Sequence, residues 1–182
     1  ETSEKIYNEN DPPGNDFLSE VVVLWERAAD DFKEQDLAER VVKIRTAVVL
    51  SEKDGALKKM IPPIQYYIGS PLGSGQQYMP WIHIEDLCQI YCKAITDDQM
   101  HGPYNAAVTD NTTNARFSRL LASLYGYAIW LPKVPPFVLR IVLGEMSEAV
   151  LKGQRVSSEK IQKTGFEFQF TDLEKALISC IH

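Results

Sequence analysis

Apolar positions recur at helical spacing from Phe17 onward. Phe17, Leu18, Val21, Val22, Trp25, Ala28, Ala29 and Phe32 share one face, with Glu20, Glu26, Arg27 and Asp31 between them. This pattern predicts an amphipathic helix of about four turns, with Asp16 placed to accept from its first free amides. The residues before it, 1–16, are polar and hold Pro12, Pro13 and Gly14 together, which reads as a loop. The period then changes. Residues 41–50, VVKIRTAVVL, are rich in β-branched side chains and nearly continuously apolar. That predicts a strand buried on both faces of a parallel sheet. Arg45 interrupts the run, and a buried guanidinium needs a partner or an exposed strand end.

Gly55 to Tyr67 predicts a short helix broken or started by Pro62-Pro63. Residues 69–87, GSPLGSGQQYMPWIHIEDL, begin as a Gly/Ser/Pro loop and end as a short alternating strand that runs into a helix start. Asp86 is placed to cap that helix, whose apolar face is Leu87, Ile90, Tyr91, Ala94 and Ile95. GPYNAAVT (102–109) reads as another strand. NTTN (111–114) then offers caps for a helix carrying Phe117, Leu120, Leu121 and Leu124, closed by Gly126. Pro135-Pro136 opens a helix to Leu143, a second short piece spans 145–152, and Ser157 or Ser158 caps a helix to Gly165. Thr171 to Glu174 has capping-box spacing before a last helix. Alternation first and helices later predicts an α/β fold: part of a doubly wound parallel sheet continued into a small, mainly helical lobe. The expected division is 1–129 and 130–182.

Composition narrows the function. The 182 residues carry a net charge of −6. The first forty hold 12 acidic and 4 basic side chains, so the acidity is local. A nucleic-acid groove or an anionic-membrane surface would need clustered Lys and Arg. Three cysteines rule out a disulfide scaffold and fit a reducing, cytoplasmic setting. The strongly apolar stretch Val134–Leu143 contains Arg140 and is too short to span a bilayer, which takes about 20 residues. The chain opens at Glu1 without an initiator Met or a signal-peptide pattern, which suggests that something precedes it.

Three familiar chemistries fail on spacing. Only Gly73 and Gly75 form a G-x-G, the third position falls on Tyr78, and no strand leads into it. A pyrophosphate-binding turn is therefore absent, although the loop could still wall a pocket. The three histidines are His83, His101 and His182, and Cys88 and Cys92 share one helical face without a neighbouring ligand, so no metal site assembles. No G-x-S-x-G elbow occurs, and a Ser74–His83–Asp86 triad has nothing else to support it. Trp81 and His83 alternate on one face of a strand. They either line a pocket or serve the core and the backbone.

Together VVKIRTAVVL, GALKKMIPPI, GSPLGSGQQYMPWIHIEDL, GPYNAA and LGEMSEAVLKGQRVSSEKIQKTGFEFQF resemble one family, and PPGNDFLSEVVVLWERAA fits it. It is the sugar-nucleotide epimerase-like family of atypical short-chain dehydrogenase/reductases, with a C-terminal helical domain of unassigned function. The chain's character resembles bacterial members. The resemblance implies a C-terminal, substrate-side portion of an NAD- or NADP-binding Rossmann-like protein, with the phosphate-binding turn in an N-terminal half not present here. It places Arg45, Thr46, Ala47 and Val48 on the nicotinamide side of the cofactor. Gly73, Ser74, Gln77, Tyr78, Trp81, Asn105 and Arg155 would line the substrate pocket.

The family's usual acid/base dyad is a Tyr with a Lys four residues later, whose ammonium favours the phenolate. None of the eight tyrosines has that Lys. Aligning Glu26 with the acidic residue that often follows the Lys puts the dyad at Leu18 and Val22, neither of which transfers protons. His83, with an ordinary pKa near neutrality, is then the best proton-transfer residue available. Three readings stay open. The chain belongs to an NAD(P)-dependent oxidoreductase or epimerase acting on a nucleotide-sugar-like small molecule. Alternatively it belongs to a non-catalytic dinucleotide sensor. Or it is an interaction module whose exposed sheet edge awaits the missing Rossmann half or a second copy.

Overall fold

The computed structural model describes residues 4–181 apart from 52, 54, 145 and 146. In chain order the elements are β1 (Ile6–Tyr7), α1 (Phe17–Glu34), β2 (Val42–Thr46), β3 (Val48–Leu50), α2 (Ala56–Gln65), β4 (Trp81–His83) and α3 (Ile84–Thr96). Then follow β5 (Gly102–Ala106), α4 (Asn114–Leu124), α5 (Pro136–Leu143), α6 (Ser147–Leu151), β6 (Arg155–Val156), α7 (Glu159–Gln162) and α8 (Leu173–Ser179). All three strand pairs are parallel: β1 with β6, β2 with β5, and β3 with β4. The expected α/β class holds.

The stretch read as one strand is two. β2 pairs with β5, Val42 opposite Gly102 through Thr46 opposite Ala106. At Ala47 the chain changes partner. The Ala47 amide still donates to Ala106, while the Val48 amide donates to Pro80, and β3 continues along β4. β4 in turn bridges to Val108. The sheet therefore splits just past the C-terminal end of β2. The strand is also less buried than its composition suggests: only Leu50 is fully enclosed, and the rest is half-buried or exposed. Its alternation explains why. Lys43 and Arg45 reach α1 on one face, and Val42 and Ile44 pack toward the α3 cluster on the other.

Two edges of this sheet are treated differently. On the outer side of β5, the Asn105 amide donates to Glu9 Oε1 at 2.8 Å, and Lys160 Nζ donates to the Pro103 carbonyl at 2.7 Å. Such side-chain plugs block strand addition. Among the described residues the other edge of β2 has no ladder partner. It lies beside a groove lined by Val42, Ile44, Tyr91 and Ile95. α1 has no buried residue, and Trp25 on its apolar stripe is 72% exposed.

Several helix starts follow the sequence pattern. Asp16 caps α1 by accepting from Ser19, and Thr113 caps α4 by accepting from Arg116. Others differ. α3 is capped by His83, not Asp86. α8 is capped by Asp172, one residue past the predicted Thr171. α2 runs through Pro62 and Pro63. Those prolines deprive the Lys58 and Lys59 carbonyls of their helical donors, and both lysines are exposed to water. The predicted piece 145–152 starts outside the described residues, and α6 begins at Ser147. One core cluster joins Leu50, Leu57, Trp81, Phe117 and Leu121 to Leu173, Ala176 and Leu177 of α8. The other holds Ile82, Ile90, Met100, Tyr104 and Ile161.

Candidate functional site

The C-terminal ends of parallel strands are where α/β sheets bind ligands. At the end of β2, Arg45 is clamped by α1. Its Nε and Nη2 donate to the two carboxylate oxygens of Glu26 at 2.6 and 2.9 Å. This is the partner the strand required. The hydrogen bond from Arg45 holds the Glu26 carboxyl below its ordinary pKa and raises that of the guanidinium. Arg45 Nη1 also donates to the Glu9 carbonyl at 3.2 Å. Arg45 thus braces the strand end. Thr46, beyond it, is exposed, and Ala47 presents only a methyl group.

Residues 4–11 cross this end as a strap. β1 within it pairs with β6, setting Ile6 opposite Arg155. Buried Glu9 ties one end to Asn105, whose own side chain donates to the Ser157 carbonyl at 3.0 Å. At the other end, the Tyr78 hydroxyl donates to the Glu4 carboxylate at 3.1 and 3.2 Å. Arg155 Nη1 lies 3.6 Å from the same carboxylate and donates to the Glu4 carbonyl at 3.3 Å. The Arg155 guanidinium lies over the Tyr78 ring, 5.5 Å from its centre. Burial, then the Glu4 carboxylate, pushes the Tyr78 phenol above its ordinary pKa. Tyr78 is therefore a hydrogen-bond donor near neutral pH, not a phenolate base. Gly153 makes the approach possible: a Cβ there would sit 1.8 Å from the Tyr78 carbonyl oxygen.

Of the expected substrate residues the structure brings Tyr78 and Arg155 together, while Asn105, buried and tied to Ser157, lies opposite Arg45 near the strand end. It does not gather the others. Gln77 is 2% exposed. Its amide nitrogen donates to the Leu72 and Val150 carbonyls, and its oxygen accepts from Ser74. The Gly73 and Gly75 amides donate to Val134 and Leu72. This loop is wired to itself and to its neighbours. Trp81 is fully buried with its indole nitrogen donating to Asp110 at 3.0 Å, so of its two readings the core one holds.

His83 is 3% exposed. Its Nδ1 accepts from the Glu85 amide at 3.2 Å, which places the neutral ring's proton on Nε2. That proton points to Ser179 Oγ at 3.1 Å, and the ring stacks on Phe170 at 3.7 Å. Burial lowers its pKa. Both nitrogens are engaged within the protein, and His83 caps α3. Asp86, fully buried, accepts from the Gln169 and Phe170 amides and pins the segment leading to α8.

Sequence reasoning missed Glu4, Glu9 and Ser157. Glu9 and Asn105 are 96 residues apart, and Glu4 and Tyr78 are 74 apart. The one available signal was Glu9 in a polar loop ahead of the helix, and nothing marked it as buried. Among the described residues no group of His, Cys, Asp or Glu is placed to hold a metal ion, and no helix is long and apolar enough to cross a membrane. For a dinucleotide the fit is partial. Thr46 is exposed and Ala47 is small at the splitting strand end. The Gly73 and Gly75 amides, which form no pyrophosphate-binding turn, are bonded to Val134 and Leu72.

Parallel strand pairs with α1 on one face of β2 and α3 on the other mark a Rossmann-like α/β protein. The comparisons agree. A human epimerase family protein, SDR39U1 (isoform 2), solved with NADPH, superposes with a TM-score of 0.88 at 32% identity, covering 100% of this chain and 61% of that one. The UDP-glucose 4-epimerase of Thermus thermophilus, solved with NAD, gives 0.75 at 13% identity over 98% and 58%, a likeness of fold alone. The Arabidopsis thaliana protein named epimerase family protein SDR39U1 homolog, chloroplastic, is 38% identical over 172 residues, 94% of this chain and 48% of its own. Epimerase family protein SAR0825 of Staphylococcus aureus is 40% identical over 164 residues, 89% and 53%. A family described as a domain of unknown function (DUF1731) matches residues 134–179. The chain belongs to the epimerase-like family of atypical short-chain dehydrogenase/reductases. It spans about half the length of the curated relatives it matches.

Proposed function

We propose that this chain supplies the substrate-side wall of an NAD(P)-dependent epimerase-like oxidoreductase acting on a nucleotide-sugar-like small molecule. The observation that carries this is the Tyr78–Arg155 pair, linked through the 155–157 segment to Asn105, which lies opposite Arg45 near the C-terminal end of β2. The kinship with proteins named epimerase family members, one solved with NADPH, supports it. A nicotinamide would supply hydride transfer. Thr46, Ala47 and Val48 form the strand end it would face, with Arg45 and Glu26 holding that end rigid. Tyr78 and Arg155 orient the substrate by donating hydrogen bonds. Residues 1–129 act as part of the cofactor-binding unit, and 130–182 as the helical unit that brings Arg155 to it. A content of only three cysteines suits a cytoplasmic enzyme.

The open edge of β2 and the exposed stripe of α1 fit the remainder of a doubly wound sheet. That partner would add a parallel strand to β2 and bury Trp25.

The missing Tyr/Lys pair favours a second reading, a protein that binds the dinucleotide without turning substrate over. Leu18 and Val22 of α1 carry no proton donor. One experiment separates the two. The polypeptide at the length of its curated relatives is titrated with NADH and NADPH by fluorescence and then assayed over a panel of nucleotide sugars. Turnover of any of them establishes the enzyme. Saturable cofactor binding with no turnover across the panel establishes the sensor. No binding of either cofactor contradicts both.

A further inference from the structure

Cys88 and Cys92 lie four residues apart on α3, and both are exposed. Residues at that spacing share one face of a helix. Here the shared face is turned away from the sheet. The buried stripe of α3 is Asp86, Leu87, Ile90 and Ala94, and the two cysteines fall on the opposite side of the helical wheel. On one flank of them, Tyr91 and Ile95 line the groove beside the open edge of β2. On the other flank, Gln89 and Lys93 border a cleft against Phe166 and Gln169 that Cys92 also lines. A partner added along β2 meets the Tyr91 flank and leaves the outward face in water. Among the described residues neither thiol makes a hydrogen bond. Their spacing is held by a helix anchored along its length. His83 caps its start, buried Asp86 is tied to the Gln169 and Phe170 amides, and Arg40 donates to the Ala94 and Ile95 carbonyls at 2.6 and 2.7 Å.

That spacing excludes one chemistry and suits another. Side chains four apart on a helix have Cβ atoms about 5–6 Å apart. A disulfide needs about 3.5–4.5 Å, so the pair cannot close on itself without unwinding α3. One added atom bonded to both sulfurs spans the larger gap. We propose that Cys88 and Cys92 form a dithiol clamp for a single thiophilic centre, the trivalent arsenic of an organoarsenical. Thiolate sulfur is a soft ligand and selects soft centres of this kind. In the capture, the two As–O bonds of the dihydroxy arsenical break and two As–S bonds form. The thiol protons leave with the hydroxyl groups as two molecules of water. Arsenic stays trivalent, so the step needs no oxidant or reductant. Its third bond is to its own carbon. That fits a pair with no third Cys, His, Asp or Glu placed to join it among the described residues. The clamp acts without a nicotinamide and apart from the strand ends.

Phenylarsine oxide is titrated into the reduced full chain, and the product is followed by intact mass under native conditions and by the number of thiols still reactive. One arsenical per chain is expected, with the loss of two reactive thiols. Dimercaptopropanol should release it, and a monothiol at equal concentration should not. Cys88→Ser and Cys92→Ser are each expected to weaken capture at least roughly hundredfold, because the second As–S bond is no longer made within one chain. A further variant keeps the number of thiols and changes only their spacing. Cys92→Ser combined with Lys93→Cys moves one thiol to the cleft flank of α3, and it is expected to behave like the single serine variants. All these changes lie on the solvent side of the helix, and circular dichroism checks that each variant is folded. Undiminished capture in either serine variant or in the spacing variant would overturn the proposal. So would an unmodified chain that retains no arsenical.

Discussion

His83 accepts from the Glu85 amide only while its ring is neutral, because a proton on Nδ1 removes the acceptor. Burial sets the folded-state pKa below the ordinary 6.5, against the pull of Glu85 and Asp86. The unfolded ring therefore takes up a proton at a pH where the folded ring does not. The stability it confers is fully present above about pH 6.5 and is lost as pH falls from there through the lower folded value. Thermal melting between about pH 7.5 and 5 should show that decline, and His83→Gln should flatten it. Because the cap is lost, the variant should also be less stable at neutral pH by about 1–2 kcal/mol. Identical pH slopes in the two proteins would return His83 to the list of reactive groups. Gly153 makes a sharper steric case. Gly153→Ala drives a methyl into the Tyr78 backbone, and the expected cost is about 1–3 kcal/mol in chemical denaturation.

At the scale of elements, the bond between α1 and β2 decides whether the strand end is rigid. Glu26→Gln keeps the shape but loses the charge-assisted pair to Arg45, and a loss of about 1–3 kcal/mol is expected in urea melts. The Glu26 carboxyl titrates below its ordinary 4.5 because of Arg45. Its contribution is present above that pH and disappears as pH falls through the lower folded value, so the variant and the parent should converge in strong acid. Much of this level was legible in the sequence. The helical stripe from Phe17, the Asp16 cap and the need of Arg45 for a partner all follow from local pattern. The break at Ala47 does not, since composition alone cannot tell a continuous strand from one that changes neighbours. The exchange of caps at α3 was hidden for a related reason. Asp86 looks like a cap locally, and only the distant amides of Gln169 and Phe170 draw it inward.

At the scale of the whole molecule, one sheet edge is plugged by Glu9 and Lys160, and the other is open beside exposed apolar groups. Joining the remainder of a doubly wound sheet should bury Trp25. A blue shift of tryptophan emission relative to this chain alone would register it, and an unshifted spectrum would count against that docking. The sequence led to the fold and to the family, whereas the site was only half legible. Tyr78 and Arg155 lie together, and Asn105 is tied to Ser157 two residues beyond Arg155. Gly73, Ser74, Gln77, Trp81 and His83 instead make the loop, the core and a cap. Their polar atoms looked available because partners such as Val150, Asp110 and Ser179 are remote in sequence.

Ligands are expected to bind at the C-terminal ends of β2 and β5. Hydrogen–deuterium exchange on the polypeptide at the length of its curated relatives, with and without NADPH and a nucleotide sugar, tests it directly. New protection is expected at residues 45–48, at Tyr78 and Asn105, and through 155–157, with 83–86 unchanged. Protection confined to the His83 helix start, or to the 73–77 loop with the strand ends unaltered, would contradict it.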